Sequence, residues 1–513
     1  MNALPANDIR DICANRANRA FPPEVFAHRR DRVLAAMRAA GGGVALIAAA
    51  PLATRSRDTE FPYRQNSDFF YLCGFTEPDA LLVLDSRGQG TVQAPSSLLY
   101  CREKDPLRET WEGFHYGPDA ARQAFGLDAA RANSERDGAL PALLANAPAV
   151  FYALHAHTPL SVDLPRWVTT ACAKRGVKPP RAFYDLTPIV EDMRLHKDAS
   201  ELARMRQAAK ISAQAHIRAM RAARPGLPEY AIEAELLYEF RRQGAQAPAY
   251  TSIVAAGANA CTLHYPAGDK ILADGDLVLI DAACELDGYA ADITRTFPAN
   301  GRFSGPQRAL YDIVVAANQA AAAATKAGAR FHDGHQAALR VLSQGMLDTG
   351  LLSADKYGSV EDVLADRAYG RFYMHSTGHW LGLDVHDCGD YTEAAEVAAL
   401  AELAAFAQAA AAKTQQTNET QNAQDRQDSQ NSPEAAEPVA PSAPPSRILM
   451  PGMVLTIEPG IYVTPADDVP AEFWNIGIRV EDNAVVTENG CELITRDVPV
   501  DADEIEALMR GAQ

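Results

Sequence analysis

Apolar residues recur along the chain with two periods, and the changes between them divide it into parts. From Glu24 to about Ala40, the positions Val25, Phe26, Val33, Leu34 and Met37 fall at helical spacing, and Gly41-Gly42-Gly43 stops the helix. The apolar run 44–50 predicts a buried strand. Asp68 to Phe75 and Ala80 to Leu84 read as further strands separated by a Glu77-Pro78-Asp79 turn. Ala149 to Ala153 and Ala182 to Asp185 continue an alternation with helical stretches. This half predicts an α/β domain over 23–190, preceded by a polar extension at 1–22. A long helix follows from about Ser200 to Ala222, ended by Arg224-Pro225-Gly226, and a second from Glu229 to Gln243, closed by Gly244. From Tyr250 the pattern changes to short strands and turns, with helices again at about 305–328 and 332–348; this second domain extends over 195–513.

Residues 393–446 interrupt that second pattern. Glu393 to Lys413 is Ala-rich, with Val397, Leu400, Leu403 and Phe406 at three-residue intervals, which predicts a helix. Thr414 to Asn431 is rich in Gln, Asn and Asp, and Ser432 to Pro445 in Pro and Ala. Neither piece can bury enough apolar surface to offset its ordering entropy, so both are expected to be a disordered insertion.

Composition narrows the class. At 513 residues with 47% hydrophobic and 22% charged positions, the chain is expected to be a soluble protein of two domains. A net charge of −18 argues against nucleic-acid binding, which needs clustered Lys and Arg. The eight cysteines form no Cys-x-x-Cys pair, which suits reduced thiols in a cytoplasmic protein. The N-terminal segment lacks a signal peptide's apolar core, and the run at 44–50 is too short to span a bilayer. No membrane role is expected.

The chemistry begins in Leu277 to Phe297, two apolar stretches joined at Asp287-Gly288, a pair that favours a two-residue hairpin turn. If Leu286 and Tyr289 close that turn, Asp281 lies opposite Thr294 and Asp292 opposite Ala283. Residues 281 and 283 share a face, so both acids project from one side of the hairpin. Buried together they would repel, and a cation between them resolves the conflict. On the hairpin alone, two solvated acids on an exposed surface remain an equal alternative. Downstream, His375, His379 and His386 cluster within twelve residues of a chain that has 12 histidines in all. Glu458 follows the apolar run Val454 to Ile457, and Arg479 and Glu481 share a face if 477–481 is a strand. Asp281, Asp292, His379, Glu458 and Glu481 together make four carboxylates and one imidazole. Oxygen-rich donors suit manganese or magnesium, and four anionic groups suit two ions roughly 3.5–4 Å apart better than one.

With these motifs the chain resembles the pita-bread metallopeptidases, and within them the Xaa-Pro aminopeptidase (aminopeptidase P) family. Tyr63-Arg64-Gln65-Asn66-Ser67-Asp68-Phe69, followed by Gly74-Phe75-Thr76-Glu77-Pro78, is similar to that family's N-terminal signature. The resemblance implies an N-terminal α/β domain followed by a pita-bread catalytic domain. It implies two divalent ions, manganese first, with Asp292 and Glu481 bridging both, Asp281 completing one, and His379 and Glu458 the other. Thr294 becomes a supporting partner of that site. His264, His375 and His386 match substrate-binding and proton-shuttling histidines, Arg479 and Tyr462 their active-site partners, and Trp111 an aromatic that reaches a neighbouring subunit in oligomeric members. The implied reaction removes an N-terminal residue from peptides with proline second: hydroxide attacks the scissile carbonyl, His375 steadies the oxyanion, and Glu458 handles protons. One departure is Pro445, where relatives carry Arg. The rivals are a prolidase acting on Xaa-Pro dipeptides and a metal-free, creatinase-like or binding protein.

Overall fold

The computed structural model describes residues 21–154, 160–393 and 446–511, and the chain divides into two compact units, Met1–Val190 with Thr392–Pro445, and Glu191–Tyr391 with Ser446–Gln513. The helix expected in 393–413 and the polar and Pro/Ala-rich stretches after it lie, beyond Glu393, outside the described residues, as does Pro445.

The N-terminal unit opens with helix α1 (Pro23–Ala39), whose apolar stripe buries Phe26, Val33, Leu34 and Met37. Its sheet is mixed. Strands β1 (Val44–Ala48), β2 (Leu81–Asp85), β3 (Ser97–Cys101), β4 (Ala129–Ala132), β5 (Ala149–Tyr152) and β6 (Ala182–Asp185) lie in the order β4-β3-β2-β1-β5-β6. β2 runs antiparallel to both neighbours, and β5 parallel to both of its own.

One strand expected here is a helix. Residues Ser67–Cys73 form α2, capped by Asn66, whose Oδ1 accepts the Phe69 N–H at 2.9 Å, and ended by Gly74 at φ +70°. Phe69 to Cys73 is buried all round, so no polar face betrayed the period. The Asn cap and left-handed Gly decide the matter. A Cβ on Gly74 would lie 2.5 Å from the Phe26 ring.

The second unit starts with α3 (Ala199–Ala222), begun by a capping box in which Asp198 accepts the Ser200 and Glu201 N–H groups and Glu201 accepts that of Asp198. Helix α4 (Glu229–Arg242) packs against it. Strands β7 (Ile253–Ala256), β8 (Leu277–Asp281) and β11 (Thr294–Pro298) form an antiparallel sheet, while β9 (Cys284–Leu286) and β10 (Tyr289–Ala290) carry the same hairpin to its tip. Asp287 (φ +52°) and Gly288 (φ +86°) make the turn. Helices α5 (Gly305–Ala324) and α6 (Phe331–Asp348) pack on each other. Strands β12 (Val454–Ile457), β13 (Gly460–Val463), β14 (Ile476–Arg479) and β15 (Asp482–Thr487) complete the frame, with β12 antiparallel to β15 and β13 to β14. Strand β14 stops at Arg479, short of Glu481, because the Glu481 N–H turns to the Thr294 carbonyl at 3.0 Å.

Behind the hairpin, His216 on α3 is fully buried, its Nε2 2.8 Å from the Ala282 carbonyl, and burial lowers its pKa from 6.5 to about 4. Its unfolded form therefore binds protons first. The stabilising contribution is complete above pH 6.5 and is lost as pH falls toward 4, on the order of 3 kcal/mol. Denaturant midpoints of wild type and His216→Gln, compared between pH 7.5 and 4.5, should show the larger loss in wild type; equal losses would contradict this.

Candidate metal centre

The hairpin register pairs Asp281 with Thr294 and Leu286 with Tyr289. Ala282 and Ala291 donate to Ile293 and Cys284, which carries the same register through the break between the two strand pairs. Both acids consequently face one side. The Tyr250 hydroxyl lies 2.6 Å from Asp281 Oδ1 and 2.5 Å from Asp292 Oδ1, closing the gap between them.

The second wall is the segment 377–381, which runs beside β12. Thr456 N–H donates to the His379 carbonyl at 2.9 Å, Glu458 N–H to the Thr377 carbonyl at 2.7 Å, and Leu381 N–H to the Val454 carbonyl at 3.0 Å. Gly378 permits the approach: a Cβ there would lie 2.0 Å from the Thr456 carbonyl oxygen. Pairing sets Glu458 beside His379, whose Nε2 is 3.6 Å from Glu458 Oε1 and 3.4 Å from Asp292 Oδ2. His379 Nδ1 donates to the Trp380 carbonyl at 2.9 Å, which turns Nε2 toward the carboxylates. Glu481 completes the group: donor atoms of Asp292, His379 and Glu481 all lie within 4.8 Å of one another.

Electrostatics says what this cluster needs. Burial first, and then the charge of Asp281, pushes the Asp292 carboxyl well above the usual carboxylate range. Burial, then Asp292, does the same to Glu481, and burial, then Glu481, raises Glu458 to about 8. Arg479 is the cation against them, donating to Asp281 Oδ2 at 2.6 Å. Four ionised carboxylates and one guanidinium leave three negative charges; two divalent ions with one hydroxide carry three positive ones. Oxygen donors with one imidazole fit hard or borderline divalent ions.

A polar chain supports the cluster. Arg479 donates Nε–H to Thr294 Oγ1 at 3.2 Å, and Thr294 donates to Glu481 Oε2 at 2.7 Å. The Thr294 hydroxyl thus meets both the Arg479 and the Glu481 side chains, although the strand ends at Arg479. Arg479 also donates to Tyr462 Oη at 2.9 Å, and Tyr462 to His375 Nε2 at 2.9 Å. Burial, then Arg479, lowers His375 to about 4, so the ring is neutral, with Nδ1–H on the Ser376 carbonyl. Both nitrogens have partners, so His375 would meet an oxyanion only by releasing one.

His386 and His264 are exposed; the His386 ring centroid is 4.1 Å from that of His379, and burial, then His379 and His264, lowers its pKa. Trp111 belongs to the N-terminal unit, on a short helix, Pro106–Glu112, and is 90% exposed. Sequence reading missed Tyr250, and Asn483, which grips the Asp292 backbone through Oδ1 (3.0 Å) and Nδ2 (2.5 Å). Tyr250 carries no local signal; only its pairing near Ala283, through the Ala249 N–H, brings it in.

The model of metallopeptidase family M24 matches residues 203–488, and that of the aminopeptidase P N-terminal domain matches 26–152. The chain is 39% identical to the Xaa-Pro aminopeptidase of Escherichia coli (strain K12), over 95% of this chain and 98% of that one. It superposes on Pseudomonas aeruginosa aminopeptidase PepP with TM-score 0.82 and 42% identity, covering 96% and 99% of the two chains. A zinc-substituted E. coli aminopeptidase P solved with product gives TM-score 0.81 at 37% identity, over 96% and 99%. The chain belongs to metallopeptidase family M24, in the Xaa-Pro aminopeptidase group, with that group's N-terminal domain and a pita-bread catalytic domain.

Proposed function

We propose that this enzyme releases the N-terminal residue from peptides whose second residue is proline, using two divalent ions held by Asp281, Asp292, His379, Glu458 and Glu481. The observation that carries the reading is the central position of Asp292. One of its oxygens shares the Tyr250 hydroxyl with Asp281, and the other faces His379, which in turn faces Glu458. Asp292 and Glu481 are therefore the proposed bridging ligands, Asp281 serves one ion, and His379 and Glu458 serve the other. When bound, the ions supply an acidified water as nucleophile and a Lewis-acidic contact for the scissile carbonyl. Manganese is the first choice, and the same donors accept zinc, the ion in the substituted E. coli relative.

The chain's own groups do the rest. Glu458 takes the nucleophile's proton and returns one to the leaving proline nitrogen. His375 is the proposed donor to the oxyanion, turning Nδ1–H from Ser376, while Tyr462 and Arg479 hold its ring from the other side. The proline nitrogen is a tertiary amide with no hydrogen to donate, so ring shape must be recognised; His264 and His386 are the proposed walls. Trp111, with Leu107 also exposed on the same short helix, supports a homo-oligomer in which the indole contacts substrate. The seven described cysteines are thiols rather than disulfides, which supports a cytoplasmic setting, and among the described residues no helix is long and apolar enough to cross a membrane.

Hydrolysis of an Xaa-Pro-Xaa tripeptide, an Xaa-Pro dipeptide and an Xaa-Ala-Xaa tripeptide, with and without Mn²⁺, tests this. Metal-dependent turnover of the first and negligible turnover of the last are expected. Exclusive cleavage of the dipeptide would overturn the proposal in favour of a prolidase.

A further inference from the structure

Thr377 ties together three parts of the catalytic unit. Its hydroxyl is 2.7 Å from Tyr373 Oη and 2.8 Å from Nδ1 of His335 on α6, and its carbonyl accepts the Glu458 N–H at 2.7 Å. Tyr373 in turn packs edge-on against His375, with ring centroids 4.7 Å apart. The segment 373–379 thus carries two active-site histidines and the backbone partner of Glu458. Beside it lies a cavity of about 80 Å³ bounded by His335, Thr377, Thr325, Phe331 and Ile457. Close-packed neighbours normally restrain a segment on every side. On this side the imidazole–hydroxyl contact supplies the restraint.

We propose that His335 is a positioning residue for the reaction: through Thr377 it fixes the segment that presents His375, His379 and the Glu458 backbone to the substrate. This rests on the proposed function above. Burial, then His332 and Arg367, lowers His335 to about 4, so the ring is neutral and can be paired without a counter-charge. His335 touches none of the proposed metal donors. Its loss leaves Thr377 still bonded to Tyr373, so no buried hydroxyl is orphaned, and the effect falls on alignment rather than on folding.

The test uses the full-length enzyme loaded with Mn²⁺ and an Xaa-Pro-Xaa tripeptide. His335→Ala should lower kcat about tenfold or more with KM changed less than about twofold, at unchanged metal content and nearly unchanged Tm. His335→Asn, whose side-chain amide can reach the Nδ1 position, should restore most of kcat. Thr377→Val, which removes the Tyr373 contact as well, should lose at least as much as His335→Ala, and the double variant no more than Thr377→Val alone. Normal kcat in His335→Ala, additive losses, or loss of metal from that variant would each overturn the positioning role. A wild-type enzyme inactive on the tripeptide would instead refute the underlying function, so the two failures are distinct.

Discussion

Asp292→Ala is expected to lower kcat/KM on an Xaa-Pro-Xaa tripeptide by roughly 10³-fold or more, about 4 kcal/mol of transition-state stabilisation, without unfolding the protein. The carboxyl is nearly buried and central to the donor set, next to Tyr250, His379 and Glu481. Its backbone is held independently, by both side-chain amide atoms of Asn483. Alanine therefore removes two donor oxygens and leaves those bonds in place. Without metal, the variant should be as stable as wild type or more so, because a buried acid held well above its usual pKa has been removed. Turnover within tenfold of wild type would refute the assignment of Asp292. A collapse of the metal-free fold would refute the claim that Asn483 holds the hairpin.

The second large effect is structural. Asp482→Ala should cost about 3–5 kcal/mol of stability, because it strands a buried guanidinium. Arg295 and Asp482 are both 0% exposed and meet at 2.8 Å, and Arg496 reaches the other Asp482 oxygen at 2.8 Å. Burial alone would raise Asp482, but Arg295 and Arg496 outweigh it and hold the carboxyl below its ordinary value. Arg295 also donates to the carbonyls of Thr294 and Glu481, at 2.9 and 2.5 Å, so the pair anchors the strands that present the metal donors. A fall in the denaturant midpoint without a change of slope would register the loss. A change below about 1 kcal/mol would mean that relaxation or water rescues Arg295 and that this anchor is dispensable.

The parts of the site that were legible in the sequence are those set by short-range rules. Asp287-Gly288 fixed the hairpin register, and with it the Asp281–Thr294 pairing, because a two-residue turn leaves no freedom in which residues oppose. Residue types and the family resemblance then supplied the remaining donors. Ser67–Cys73 was misread because a short apolar run buried on all sides shows neither period, and the information lay in its ends, Asn66 and Gly74. Arg479 and Glu481 would share a face if 477–481 were one strand; the strand ends at Arg479, yet both side chains still reach the Thr294 hydroxyl, a link that the spacing alone does not show. Tyr250, Asn483 and His335 were invisible because each acts across 31 to 191 residues of sequence, through contacts that only the assembled sheets and helices create.

The buried acids around Asp292 are proposed to hold two ions that the reaction requires. The direct measurement is elemental analysis of the purified protein across a Mn²⁺ titration, with tripeptide hydrolysis followed in the same samples. Activity that rises to full turnover as occupancy approaches two ions per chain is the predicted result. Full turnover at one ion or none, with no further gain on adding metal, would contradict it.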